Sequence, residues 1–120
     1  MDIFTFGSNE AGIHGAGSAL HARKYHGAIY GQGVGLQGNS YAIPTKDFNI
    51  NSLSLKQIKY YVDNFISFAI NNPELTFNVV DIGCGLAGFT KEQIAPMFKD
   101  APKNCKFSKE FQEIIDKLNE

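Results

Sequence analysis

The placement of glycine constrains this chain more than any other feature. Nine of the twelve glycines fall at positions 7, 12, 15, 17, 27, 31, 33, 35 and 38, and the other three at 83, 85 and 88. None lies between 39 and 82, or after 88. Glycine loses more backbone entropy on folding than any other residue, so clustering it is costly. Two dense groups separated by a long glycine-free segment predict two backbone-rich loop regions on a regular scaffold. The stretch GQGVGLQG at 31–38, with four glycines in eight residues, is the extreme case.

The scaffold follows from periodicity. Ile3–Phe6 is apolar and β-prone and runs into Gly7, which predicts a strand. Ala19, Leu20 and Arg23 recur at helical spacing, which predicts a helix from Gly17 to His26 with Gly27 at its C′ position. Ala28–Tyr30 and Ser40–Ile43 read as short strands, the second stopped by Pro44. Ser54 and Gln57 form a capping-box pattern ahead of Ile58, Tyr61, Val62, Phe65, Ile66 and Ala69, which repeat at three and four residues. This helix ends before Pro73. Phe77–Ile82 reads as a buried strand. Thr90 and Gln93 predict a second capping box and a helix to about Lys99. Ser108 opens a last amphipathic helix with Phe111, Ile114, Ile115 and Leu118 on one face.

Strands alternating with helices predict a single α/β domain over 1–120, a sandwich with a central, mostly parallel or mixed sheet. Ligands bind such sheets outside the carboxyl ends of the strands. Both glycine groups start just after predicted strand ends, so both are expected on that rim.

Composition excludes several classes. At 120 residues with 43% hydrophobic and 19% charged residues, the chain can bury a core without disulfide staples. A net charge of −1 and the lack of a Lys/Arg run argue against a broad electrostatic grip on nucleic acid. Cys84 and Cys105 are too few for a disulfide framework and too far apart for a zinc knuckle, so no metal is expected and a reducing compartment is. The start MDIFTFGSNE shows no signal-peptide pattern, and no apolar run is long enough to span a bilayer. A cytoplasmic location and no membrane partner are the expectations.

The candidate site residues lie in short motifs. Gly33–Gly38 matches G-x-G-x-x-G in letter, but a strand rather than a helix follows it, so the dinucleotide-fold reading fails. Taken alone, this segment reads best as a tight hairpin. His14-Gly-Ala-Gly-Ser18 sets glycines at a predicted helix start, where free N–H groups and the helix dipole favour a phosphate. A glycine-eased turn into a packed helix explains it equally well. Ile82-Gly-Cys-Gly-Leu-Ala-Gly88 follows a buried strand and can turn amides towards a ligand. Cys84 within it reads as a small buried thiol rather than a nucleophile. Lys46, at a strand end, suits a phosphate contact or an amine nucleophile, though an ordinary exposed turn is the commoner state. Asn9 suits either a ribose contact or a cap on its own turn. Phe6, Tyr25, Tyr30, Tyr41 and Phe89 are candidates for stacking on a base, although core positions are the commoner use.

In order, FGSN, HGAG, the glycine loop, YAIPTKD and IGCGLAG resemble the macrodomain superfamily. The likeness is greatest to the branch containing the terminal ADP-ribose protein glycohydrolase, and spans roughly residues 3–99. The layout is also similar to minimal bacterial and phage proteins.

The resemblance implies a three-layer α/β/α sandwich that binds ADP-ribose, or a related ADP-ribose-containing nucleotide, in a glycine-lined cleft, with no cofactor. It implies ligand contacts at Ser8, Asn9, Gly15, Ala16, Gly17, Gly31, Gly33, Gly35, Gly38, Thr45, Gly83, Cys84, Gly85, Leu86, Ala87, Gly88 and Phe89. Gly31–Gly38 and Gly83–Gly88 would form two walls of one slot. Lys46 matches the lysine with which that branch attacks the distal ribose. The aspartate that follows GCGL in the branch is Ala87 here, with Asp47 and Asp81 as candidate substitutes that do not match its pattern, so the implied activity leans to binding. An ADP-ribosyl hydrolase acting on ADP-ribosylated protein through Lys46 is the alternative. A sponge or processor of nucleotide immune signals is a third, motivated by the phage-type layout.

Overall fold

A computed structural model describes all residues, 1–120. Ten elements follow in order. They are β1 (Asp2–Asn9), α1 (Gly17–Tyr25), β2 (Gly35–Gln37), β3 (Ser40–Lys46), α2 (Leu55–Ile70), β4 (Thr76–Val79), α3 (Lys91–Ile94), a 3-10 turn (Ala95–Phe98), β5 (Cys105–Lys106) and α4 (Lys109–Leu118). The five strands form one mixed sheet in the order β2-β3-β1-β4-β5. β1 pairs in parallel with β3 and β4, β4 in parallel with β5, and β2 antiparallel with β3. The chain is thus a three-layer α/β sandwich.

Strand alternation sorts the side chains into two unequal cores. Ile3 of β1 and Tyr41 and Ile43 of β3 join a cluster of 19 buried residues with α2, the 3-10 turn and α4. On the other face, Phe6 and Ala42 meet Ala19 and Ala22 of α1, and Ala28 just beyond it. That second core consists almost entirely of alanine, so α1 sits close on the sheet and carries its glycine-rich start to the strand ends. Phe111 and Ile115 place α4 against the large core.

The capping boxes at Ser54/Gln57 and Thr90/Gln93 are both formed, and Ser108 caps α4. Gly27 follows α1 with φ +75°, as a C′ glycine should.

Several boundaries differ from expectation. β3 runs through Pro44 to Lys46. Its antiparallel partner stops at the Gly35↔Ala42 pair, leaving an open edge where a proline costs no ladder bond. Ala28–Tyr30 is not a strand; Ala28 is drawn into the alanine core, and the segment turns towards Gly31. β4 ends at Val79, because Asp81–Gly88 leaves the sheet as a turn-rich loop. The helix opened by Thr90 tightens into the 3-10 turn, where Pro96 lacks a donor. The two-residue strand β5 and the three-residue β2 carry too little pattern to be predicted.

Two of the four glycines in the stretch 31–38 serve the chain's own packing. Gly38 and Asn39 make the turn of a β2–β3 hairpin, with Gly38 at φ +58°. A Cβ on Gly33 would lie 2.4 Å from the Asn9 carbonyl oxygen. The close neighbour there is therefore the end of β1, not a ligand. A buried polar group fixes this packing. His14 Nε2 lies 3.0 Å from the Gln32 carbonyl and 3.2 Å from Gln37 Oε1, and the Gln37 amide donates to Gln32 and Gly35 carbonyls.

Candidate functional site

The carboxyl ends of β1, β3 and β4 open onto a cleft of about 650 Å³, within the range of small-molecule sites. Three loops and the start of α1 build it. The β1 end supplies Gly7, Ser8 and Asn9, and the β3 end supplies Thr45 and Lys46. The α1 start supplies Gly15 to Ala19, and the loop after β4 supplies Val80 to Ala87.

Of the residues expected from sequence, Ser8, Asn9, Gly15, Ala16, Gly17, Thr45, Lys46, Gly83, Cys84, Gly85, Leu86 and Ala87 line this cleft. Gly31, Gly33, Gly35 and Gly38 do not, nor do Gly88 and Phe89. The expected wall at Gly31–Gly38 is replaced by the start of α1: Gly33 packs on the end of β1 and Gly38 on Gly27, while Gly31 and Gly35 hold positive-φ turns away from the cleft. None of the five candidate stacking aromatics lines the cleft, and Phe6 and Tyr41 are core residues.

The polar side chains at the strand ends are largely committed to the fold. Ser8 Oγ donates to the Gly33 carbonyl at 2.5 Å. Asn9 Nδ2 donates to the Ile13 carbonyl, and Asn9 Oδ1 accepts from the Ile13 amide, at 2.8 and 2.9 Å. The cap on its own turn, one of the two uses expected for Asn9, is formed. Thr45 Oγ1 donates to the Ser8 carbonyl at 3.3 Å.

The backbone, in contrast, is uncommitted. The amides of Gly15, Ala16, Gly17 and Ser18 donate to no acceptor within the chain, and neither do those of Gly83, Gly85, Leu86 and Ala87. Ala16 at the N-cap offers no side-chain oxygen to α1, whose first turn carries no acidic residue. Successive free amides at a helix start and in a turn-rich loop form a place for an anion.

Three glycines in this cleft have no structural reason to be glycine. Eight of the twelve adopt positive φ, and Gly33 has no room for a Cβ. The remaining three, Gly7, Gly15 and Gly85, have ordinary φ and space for a side chain, and all three line the cleft. A Cβ on Gly85 would meet nothing within 4 Å, and one on Gly15 only Ile13 Cγ2 at 3.8 Å.

Charged groups lie at the cleft's edges. Lys46 is half-buried and takes part in no ion pair. Asp81, which lines the cleft, has one carboxylate oxygen buried without a hydrogen-bond partner and the other 3.7 Å from Lys91 Nζ. Lys91 also pairs with Glu110 of α4. Burial pushes the Cys84 thiol up in pKa, and the neighbouring Asp81 carboxylate adds to the shift. A thiol held protonated is a poor nucleophile at neutral pH.

Sequence reasoning missed Gly7, Ile13, Ala19, Ile50, Val80 and Lys91 as cleft residues. Lys91 carries no motif and reaches the cleft only because α3 follows the loop after β4.

No protein-family model matches the chain, and no curated protein does. Among solved structures the chain is similar to a protein of unknown function from Bacteroides thetaiotaomicron. The two share 18% identity at a TM-score of 0.60, over 82% of this chain and 78% of that one. This likeness concerns the fold. No helix is long and apolar enough to cross a membrane.

Proposed function

We propose that the chain binds ADP-ribose, or a related nucleotide containing it, with the diphosphate on the free amides of the cleft. The observation that carries this reading is the pair Gly15 and Gly85. Both line the cleft with unpaired amides, and neither glycine is required by φ or by the chain's own packing. A ligand that approaches the backbone to hydrogen-bonding distance supplies the missing reason, since a Cβ would stand in its way. The order of motifs shared with the macrodomain superfamily supplies the ligand class.

Thermal unfolding with excess ADP-ribose tests the reading, with AMP and NAD as comparators. Ligand at 100 times its Kd stabilises a fold by about 2.7 kcal/mol, a readily visible shift. A shift selective for ADP-ribose supports the proposal. No shift with ADP-ribose, backed by no heat in calorimetry, rejects it.

Hydrolysis is the second reading, favoured by an unpaired Lys46 in the same cleft. Release of ADP-ribose from modified protein, lost in Lys46→Ala, would establish it. An unchanged rate in that variant removes Lys46 from any such reaction.

A further inference from the structure

Ile50 is the only non-glycine residue with positive φ, at +65°. For a β-branched residue this is a genuine outlier, with a cost in stability. The loop that holds it is firmly made. Asp47 Oδ1 accepts from the amides of Asn49 and Asn51 at 2.8 and 3.0 Å, and the Ile50 amide donates to the Asp47 carbonyl at 3.2 Å. A Lys46↔Ser52 bridge closes its base.

Folding does not explain an isoleucine here. A place in the core is not the reason, because Ile50 is 40% exposed and belongs to neither core cluster. Nor is backbone chemistry, because asparagine suits the left-handed region far better. The loop has an asparagine on either side, Asn49 and Asn51, and places neither at the strained position. What Ile50 does have is a place on the cleft. Two other exposed aliphatic residues share it, Ile13 from the loop after β1 and Leu86 from the loop after β4. Three loops thus each bring one large aliphatic side chain to a cleft whose free amides suit an anion and which no aromatic side chain lines.

We infer that Ile50 is a ligand-contacting residue, whose side chain covers the apolar face of a sugar or base ring seated in the cleft. The inference rests on the nucleotide reading above and adds how the ring is held: by aliphatic cover from a strained loop, in place of aromatic stacking. The ligand this chemistry fits is amphiphilic, with an anionic group for the amides and a ring for the aliphatic residues. The left-handed backbone at Ile50 fixes where the loop presents that side chain, so the cost in stability serves binding.

Ile50→Asn and Ile50→Gly test this, because both residues accept the left-handed conformation and neither supplies the aliphatic cover. Two measurements are made on each variant and on the unaltered chain: the thermal midpoint without ligand, and the Kd for ADP-ribose by calorimetry. The expected result is a higher midpoint for Ile50→Asn, with Kd weakened on the order of tenfold in both variants, as removal of one well-covered aliphatic side chain predicts. A Kd within twofold of the unaltered chain's overturns the inference and leaves nucleotide binding standing. A midpoint that falls in both variants overturns it too, since Ile50 would then be serving the fold. No binding of ADP-ribose by the unaltered chain overturns both the inference and the reading beneath it.

Discussion

Ser52 Oγ donates a hydrogen bond of 2.8 Å to the carbonyl of Ala87, tying the loop after β3 to the loop after β4. The two loops are 35 residues apart in sequence and carry Ile50 and Leu86 on the same cleft. This single bond links the strained loop to the one that offers free amides. Ser52→Ala should therefore cost little stability, at most about 0.5–1.5 kcal/mol. It should raise exchange at the hydrogen-bonded amides of that loop, Cys84, Gly88 and Phe89, well above that in β1 or α2. Exchange at these three identical to that of the unaltered chain would show that the loop is held by other contacts.

The glycines divide into two groups with opposite expected behaviour. Gly15→Ala and Gly85→Ala should leave the fold as stable as before, or more so by about 0.4–1 kcal/mol, because the unfolded chain loses freedom and nothing clashes. The same changes should weaken ADP-ribose binding. Gly33→Ala should instead destabilise by about 1–3 kcal/mol or more, since its Cβ would lie 2.4 Å from the Asn9 carbonyl oxygen. Thermal unfolding and calorimetry on the three variants separate the groups. Undiminished binding by both Gly15→Ala and Gly85→Ala would remove the observation on which the proposed function rests.

Position 87 offers a gain-of-function test. The resemblance places a carboxylate there in the glycohydrolase branch, and this chain has Ala87 on the cleft that Lys46 also lines. Ala87→Asp should raise any ADP-ribosyl hydrolysis by about 10²–10⁴-fold, the usual worth of general acid–base help. Adding Lys46→Ala should abolish the gain. A rate that rises in Ala87→Asp and survives in the double variant would assign the chemistry to another residue.

Alkali should destabilise the fold. Burial raises the Cys105 thiol from 9.0 to about 12. The folded chain therefore keeps this proton where the unfolded chain releases it. Tyr61 acts in the same direction, raised from 10.0 to about 12 chiefly by its hydrogen bond to Glu10, with burial adding to it. The Cys105 contribution is fully present below pH 9 and the Tyr61 contribution below pH 10, and both fade as pH rises towards 12. Urea midpoints between pH 7 and 10.5 should fall with pH above 9, and fall less steeply in Cys105→Ala. Parallel slopes for the two proteins would show that the Cys105 proton is not what is lost.

Local chemistry determined much of this protein from sequence alone. Ser54 with Gln57 and Thr90 with Gln93 fixed two helix starts through reciprocal hydrogen bonds made within four residues. The apolar period from Ile58 to Ala69 fixed the face of α2, and the alternation of strands and helices fixed the layers and the rim on which the cleft opens. What tertiary structure decided was which glycines serve the fold and which face the cleft. Gly33 and Gly85 look alike in sequence, since each stands in a glycine-rich run. One packs on the Asn9 carbonyl and the other on nothing, because only one lies under a hairpin that folds back on β1. Likewise Ile50 and Lys91 joined the cleft through loop closure and helix placement, which depend on contacts tens of residues apart and leave no local pattern to read.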